Sequence, residues 1–235
     1  MRTLVDARPD AIQLSPGQAP LLQRLPGPGK PALVLRTDVA NVYGPSPPQS
    51  LWSELVLDAV GAALRLDAAC VVVNLLSLPG EPELHRQCVR NVGSLRAACD
   101  PVGMPLMVEP LAMKPGDAGY GVNGDADTVV TLVRQAVELG ADVIKADPTD
   151  DLDEYERVVE AAGRVPVLVR GGGRAPDEEI LRRTEIVLRQ GAAGIVYGRN
   201  VVQHANPVGM TRALMAIVHD GSSAEKALAG LATRA

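Results

Sequence analysis

The sequence predicts an α/β fold, a parallel TIM (β/α)8-type barrel lacking its first strand, and three observations carry that expectation. Seven short apolar runs, several rich in Val, Ile and Leu without strict polar alternation, alternate with helical patterns; this is how parallel strands covered by helices read. Four of the runs end in charged residues, at the carboxyl end where barrels collect their functional groups. The length of 235 residues, with 46% hydrophobic and 22% charged residues, suits one globular α/β-barrel domain over 1–235.

Taken in order, Arg2–Arg8 reads as the end of a helix feeding a strand at Asp10–Ser15. A closed barrel has eight strands, so the seven recognised from this start imply that the first is absent. Leu25–Lys30 is a turn-rich connector to the second run, Ala32–Asp38, and Tyr43–Ser50 with its three prolines is the loop after it. A helix is expected over Ser53–Leu66, then a strand at Cys70–Leu76, a helix over Glu81–Ala98 and a strand at Pro105–Leu111. Met113–Asp127, with Gly119, Gly121 and Gly124, reads as a longer loop. Helix Asp127–Leu139, strand Asp142–Asp147, helix Leu152–Ala162 and strand Val165–Arg170 follow. Asp177 is expected to cap a helix over Asp177–Arg189, just past Ala175-Pro176. Strand Ala193–Gly198, helix Asn200–Val218 and a short helix with a loose tail from Gly221 complete the chain. Strand–helix units repeated at this spacing imply right-handed crossovers.

Composition narrows the function. The formal charge of −5 is mild, and with no Phe, one Trp and no basic run the chain carries no nucleic-acid signature. The longest apolar runs are too short for a bilayer. Arg2, Asp6, Arg8 and Asp10 break any signal-peptide apolar region, so no membrane contact and a cytoplasmic location are expected. Cys70, Cys88 and Cys99 show no CxxC spacing and read as buried or semi-buried free thiols. No zinc site is visible, and His85, His204 and His219 read as structural.

The strand ends are more telling. Val34, Arg36 and Asp38 share one face by period two. Leu106–Glu109 ends in a carboxylate, Asp142–Asp147 carries Lys145 and Asp147, and Val167–Arg170 leads into Gly171, Gly172 and Gly173. Lys145 is one of only four lysines against nineteen arginines, yet it follows Val143-Ile144 on a buried-type run. Burying an ammonium is costly and lowers its pKa, which is what a carbonyl-attacking amine needs; the plainer reading is a lysine snorkelling to solvent or paired with Asp147. Glu109 is either a proton carrier for such an amine or an ion-pair partner of Lys145 or Arg36. Arg36 and Asp38 are weaker candidates, since a strand-end pair often serves only itself. Gly171–Gly173 and Gly198-Arg199-Asn200 follow the last two strands, where barrels commonly bind phosphate, and Arg174 or Arg199 would add a charge-assisted contact.

With these residues assembled, the chain resembles the class I (Schiff-base) aldolases grouped with deoxyribose-phosphate aldolase and archaeal-type fructose-bisphosphate aldolase. Asp10–Gly17 and Ala32–Asp38 resemble the family's second and third strands, and Leu106–Pro110 its fifth. Gly140–Lys145 resembles the sixth strand with the Schiff-base lysine, and Gly171–Gly173 with Gly198–Asn200 the paired phosphate loops. Glu109 differs from the subgroup with a tyrosine donor near this position and is closer to tagatose-bisphosphate-type aldolases. The family's first strand, usually ending in an aspartate that takes part in acid–base chemistry, has no counterpart here. That departure implies a shortened start, a barrel completed otherwise, or a non-catalytic sugar-phosphate-binding relative.

The resemblance implies a metal-independent lyase without a cofactor, acting on a phosphorylated sugar or ketose. Lys145 would form the imine, and Glu109 and Asp38 would take the acid–base roles, with Tyr120 as a further proton donor. Arg36, Arg170, Gly171, Gly172, Gly173, Gly198 and Arg199 would hold substrate and phosphate. A transaldolase-like synthase of amino-heptulosonate type is the alternative chemistry. Exposed apolar edges of an incomplete barrel imply a homo-oligomer.

Overall fold

The seven apolar runs form seven parallel strands that curl, with their helices, into most of a barrel. The structure is a computed structural model and describes residues 1–27, 29–42, 50–116 and 119–232. In chain order its elements are α1 (Arg2–Asp6), β1 (Ala11–Leu14), α2 (Ala19–Gln23), β2 (Ala32–Arg36), β3 (Asp38–Ala40), β4 (Ser53–Leu55), α3 (Ala59–Arg65) and β5 (Ala68–Ser77). Then come α4 (Pro82–Cys99), β6 (Leu106–Gly116), β7 (Gly119–Val122), α5 (Ala126–Glu138), β8 (Val143–Ala146) and α6 (Tyr155–Ala162). The last are β9 (Val167–Arg170), α7 (Asp177–Arg189), β10 (Gly194–Val196), α8 (Arg199–Val202), α9 (Pro207–Asp220) and α10 (Ala224–Ala232). The parallel sheet runs β1-β2-β5-β6-β8-β9-β10, so among the described residues β1 and β10 are its open edges.

Strand alternation sorts the side chains to two faces. The outward face of β2, β5, β6, β8 and β9 packs Leu33, Leu35, Val71, Val73, Val108 and Ile144 against the helices. On α4 the matching residues are Leu84, Cys88, Val92, Leu95 and Cys99, at the three- and four-residue spacing of a single helical face. Each such side chain, once fully buried, contributes about 1.5–3 kcal/mol. A satellite cluster of Ile180, Leu181, Met210, Leu214, Ile217 and Leu231 joins α7, α9 and α10. The inward face carries Val34, Cys70, Val72 and Met107, with Val143 and Leu168 packed against them.

Several expectations need correction. The helix expected from Ser53 begins only at Ala59, because Ser53–Leu55 pairs antiparallel with Asp38–Ala40. A three-residue strand is too short to reveal an alternation. The loop expected over Met113–Asp127 is largely a hairpin: β6 continues to Gly116 and pairs with β7, Met113 opposite Val122. The helix expected over Asn200–Val218 is two, because Asn206 caps a new start at Pro207 by accepting the Gly209 N–H at 2.8 Å. Asp177 does not cap α7. Pro176 holds the cap position without a side-chain hydrogen bond, and the Asp177 carboxylate takes His204 Nε2 at 3.0 Å. Most of the Tyr43–Ser50 loop, and Pro28 in the preceding connector, lie outside the described residues. The three cysteines are buried and free. No helix among the described residues is long and apolar enough to cross a membrane.

Candidate active site

Register sets the level of the site. Val108 pairs with Ile144, so Glu109 and Lys145 advance together by one step, and Asn74 lies opposite Glu109. Lys145 pairs with Leu168, two residues before Arg170 on the same face. Arg36 pairs with Val72, two residues before Asn74. The inward face therefore changes from an apolar layer to a polar one within two residues on each of these strands. Above it opens a cavity of about 450 Å³, lined by Arg36, Asp38, Asn74, Glu109, Lys145, Arg170, Gly171, Gly172, Gly198 and Arg199, with Val39, Ala40 and Val196 completing the wall.

Glu109 is the hub. Its Oε2 lies 3.0 Å from Lys145 Nζ and also accepts from the Arg36 guanidinium. Its Oε1 takes Arg170 Nε at 3.0 Å. Arg36 continues outward to Asp38 at 3.1 Å and to the Asn74 side-chain oxygen at 2.8 Å. The Asn74 backbone N–H closes that ring by donating to Asp38 Oδ2 at 3.1 Å. Arg170 Nη1 reaches Asp147 Oδ1 at 2.8 Å. Three cations thus interlock with three carboxylates, and the carboxylate side chains are at most 3% exposed. Burial on this scale is tolerable only because every charge has a partner.

The environment sets protonation. Burial alone would raise the Glu109 carboxyl, but Lys145, Arg36 and Arg170 together reverse it and hold Glu109 at about 2. Burial pushes Lys145 below the usual lysine value; Glu109 opposes that, while Arg36 and Arg170 add to it. The lysine is therefore disposed toward its neutral form while the glutamate stays ionised. Burial raises the Asp147 carboxyl, partly offset by Arg170, and Asp147 Oδ2 has no hydrogen-bond partner among the described residues.

The glycine loops are built by tethers on their carbonyls. Gly171 O accepts from Arg183 at 2.7 Å and from Asn200 Nδ2 at 3.1 Å. Arg199 donates to Gly172 O at 3.0 Å, and Asn200 also reaches Gly173 O at 3.1 Å. Gly171 presses against Tyr197, where a Cβ would stand 3.1 Å from the ring, and Gly172 has a φ of +60°; neither position suits another residue. The helix after Gly198 is only four residues long, so anion binding here would rest on loop amides and Arg199 rather than on a helix dipole.

The expected residues Lys145, Glu109, Asp38, Arg36, Arg170, Gly171, Gly172, Gly198 and Arg199 converge on this one cavity. Gly173 does not line it, and Arg174 faces a separate cavity beside Asp177 and His204. Tyr120 lies on β7 and is absent from the cavity wall. Asp147 pairs with Arg170 rather than Lys145, whose second partner is Gln13 Oε1 at 3.0 Å. Asn74 and Gln13 were not singled out from the sequence. Each interrupts an apolar run, Val71–Leu76 or Ala11–Leu14, which is the same signal that marked Lys145. Among the described residues no group of His, Cys, Asp or Glu is arranged to hold a metal ion.

A buried amine held against a carboxylate, at the mouth of a parallel barrel with two glycine loops alongside, is the arrangement of Schiff-base barrel enzymes. The chain belongs to the DeoC/LacD family of aldolases, whose model matches residues 1–204. It is 34% identical over 220 residues to a 2-amino-3,7-dideoxy-D-threo-hept-6-ulosonate synthase of Halobacterium salinarum, covering 94% of this chain and 78% of that protein. It is 32% identical over 207 residues to a 2-amino-4,5-dihydroxy-6-oxo-7-(phosphonooxy)heptanoate synthase of Streptomyces griseus, covering 87% and 72%. Among solved structures, an archaeal fructose 1,6-bisphosphate aldolase matches with a TM-score of 0.78 at 29% identity, over 94% of this chain and 82% of that one. A Schiff-base-forming fructose-1,6-bisphosphate aldolase matches with a TM-score of 0.76 at 29% identity, over 93% and 82%.

Proposed function

We propose that the protein is a class I aldolase that makes or breaks a carbon–carbon bond in a phosphorylated sugar or ketose through an imine on Lys145. The observation that carries this reading is the buried Lys145 Nζ, 3.0 Å from the Glu109 carboxylate, at the floor of a cavity rimmed by Arg36, Arg170 and Arg199. The substrate phosphate sits on Gly172, Gly198 and Arg199. Neutral Nζ attacks the carbonyl carbon, and Glu109 passes one proton from nitrogen to the carbonyl oxygen. A second proton, taken up from solvent through Glu109, lets the hydroxyl leave as water and leaves the nitrogen as a protonated iminium. The iminium then withdraws electrons from the adjacent bond, which breaks to an enamine and an aldehyde as the hydroxyl proton of the leaving carbon passes to Glu109.

A carboxylate held at about 2 is a weak base, so Glu109 relays protons briefly and serves longest as counter-ion to the iminium. Arg36 and Arg170 hold Glu109 in place and add to the burial that lowers the Lys145 pKa, and Asp38 orients Arg36. The iminium supplies the electron sink that a metal provides in other aldolases, so chelation should leave the rate unchanged. Fructose 1,6-bisphosphate cleavage in a coupled assay tests the scheme: Lys145→Met should remove activity, and full activity in that variant would defeat it.

The two synthase relatives favour a second reading, a transaldolase-like synthase of amino-heptulosonate type using the same lysine. Mixing a sugar phosphate with an amino-acid semialdehyde and looking for the joined product by mass separates the two. The proposal includes a cytoplasmic homo-oligomer: Leu57 is 92% exposed, and Leu21 and Leu64 at least half exposed, apolar surface that a second copy would cover. Light scattering on the purified chain tests that association.

A further inference from the structure

Asp147 follows Lys145 by two residues, on the same face by strand period, yet it is not part of the cavity wall. Its carboxylate is 2% exposed. Oδ1 accepts from Arg170 Nη1 at 2.8 Å, and Oδ2 takes no hydrogen bond from a described residue. From α6 it is faced by the buried Tyr155, which burial and then the Asp147 charge raise above the usual phenol value, so Tyr155 stays neutral. A hydroxyl or an amide at position 147 would satisfy Arg170 with one acceptor. A carboxylate adds a second buried oxygen, at a cost, so what the position supplies beyond the hydrogen bond is charge.

The charges around Lys145 balance in one of its two states. Arg36 and Arg170 interlock with Glu109, Asp38 and Asp147. The hub is therefore net negative by one charge while Lys145 is neutral, and balanced when its nitrogen is positive. Arg199 stands outside this group, exposed and bonded to Gly172 O. Asp38 offsets Arg36 and Asp147 offsets Arg170, which leaves the shared carboxylate of Glu109 to answer Lys145. With Asp147 uncharged, a positive nitrogen would be a buried charge in excess, a costly state. The free amine escapes that cost by shedding its proton, as burial already favours. An iminium has no such escape, because the imine draws electrons only while it is protonated.

We propose that Asp147 is a positioning residue for the imine step: it holds Arg170 at Glu109 and supplies the charge that balances the hub when the Lys145 nitrogen is positive. This rests on Lys145 being the imine-forming amine proposed above. Asp147 touches no substrate and exchanges no bond. Ammonium and iminium carry the same charge, so neutralising Asp147 disfavours both. The first effect frees the amine at lower pH, and the second slows turnover. The other charged groups facing Lys145 are Glu109 from β6, Arg36 from β2 and Arg170 from β9; those facing Asp147 are Arg170, Glu109 and Lys145.

The test is the pH dependence of cyanoborohydride trapping with dihydroxyacetone phosphate, mapped to Lys145, together with kcat and KM for fructose 1,6-bisphosphate cleavage. In the parent, trapping rises with pH as Lys145 loses its proton. Asp147→Asn, which keeps an acceptor for Arg170, should move that rise to lower pH. It should also lower kcat about tenfold, the effect of one nearby charge, with KM changed less than about threefold. Asp147→Ser should move the rise the same way and serves if the asparagine variant does not fold. Arg170→Gln should move it to higher pH, and the double variant Asp147→Asn/Arg170→Gln, with charge balance restored, back toward the parent. A rise unmoved in both the asparagine and serine variants, with only urea stability lowered, would overturn the proposal and leave Asp147 to the fold. A double variant that stays where Asp147→Asn lies would also overturn it. Absence of any adduct in the parent would instead defeat the lysine assignment beneath it.

Discussion

Two layers of the barrel interior lie two residues apart on the same strands and do opposite work. Val34, Val72, Met107 and Val143 form an apolar lower layer. Arg36, Asn74, Glu109 and Lys145 form the polar layer above it and line the cavity. Nothing in backbone geometry distinguishes the two, since each pair differs by one full period of the same strand. The difference lies in what each layer needs. The lower needs only volume, whereas the upper needs every charge matched, so its stability is concentrated in a few groups and above all in Glu109.

That contrast can be broken first at the hub. Glu109→Leu removes the carboxylate that Lys145, Arg36 and Arg170 share. Removing one partner of a buried ion pair costs about 3–5 kcal/mol. Urea denaturation should show a loss of that order, together with loss of cleavage. Lys145→Met should separate the two properties, abolishing imine formation while holding or raising stability, because burial already disfavours the lysine's charge. Equal destabilisation by both substitutions would mean that the lysine, too, is there for the fold.

Acid should expose the same hub. Glu109 is held at about 2 against an ordinary 4.5, so at neutral pH both folded and unfolded chains carry it ionised and its stabilising contribution is complete. As pH falls below about 4.5 the unfolded chain takes up the proton first, and the contribution fades until about pH 2. A shift of this size is worth about 3 kcal/mol. Asp147, raised by burial, acts in the opposite sense and blunts the decline. Stability against pH for the parent and Glu109→Gln should therefore run a constant distance apart above about pH 4.5 and converge as pH falls from there to about 2.

The lower layer should respond more gently and without chemistry. Met107 is 4% exposed. Met107→Ala should cost about 2–5 kcal/mol, the usual range for a core methionine, with kcat for phosphosugar cleavage changed less than about threefold. A large loss of kcat would tie the two layers together. Gly172→Ala should have the smallest effect on folding, about 1 kcal/mol from the left-handed backbone at φ +60°, and should show chiefly as weaker phosphosugar binding by calorimetry.

The contrast also explains what could be read from the sequence. The seven strands were legible because buried parallel strands are uninterrupted apolar runs, and Lys145 and Glu109 because each breaks such a run with a charge. Asn74 and Gln13 broke their runs with uncharged polar groups, a fainter form of the same signal. The partner of Asp147 was not legible: its distance along the chain favours Lys145, but the sheet carries it to Arg170 on the next strand. The β3–β4 pairing and the β6–β7 hairpin were missed for a different reason. Their strands are short or glycine-rich, and their register comes from a partner segment rather than from a pattern of their own.

The most direct measurement is borohydride trapping with dihydroxyacetone phosphate, read by intact mass and peptide mapping on the parent and on Lys145→Met. The expected result is one reduced adduct on Lys145 in the parent and none in the variant. Clear binding of the phosphosugar with no adduct, or an adduct on another lysine, would contradict the assignment of Lys145 as the imine-forming residue.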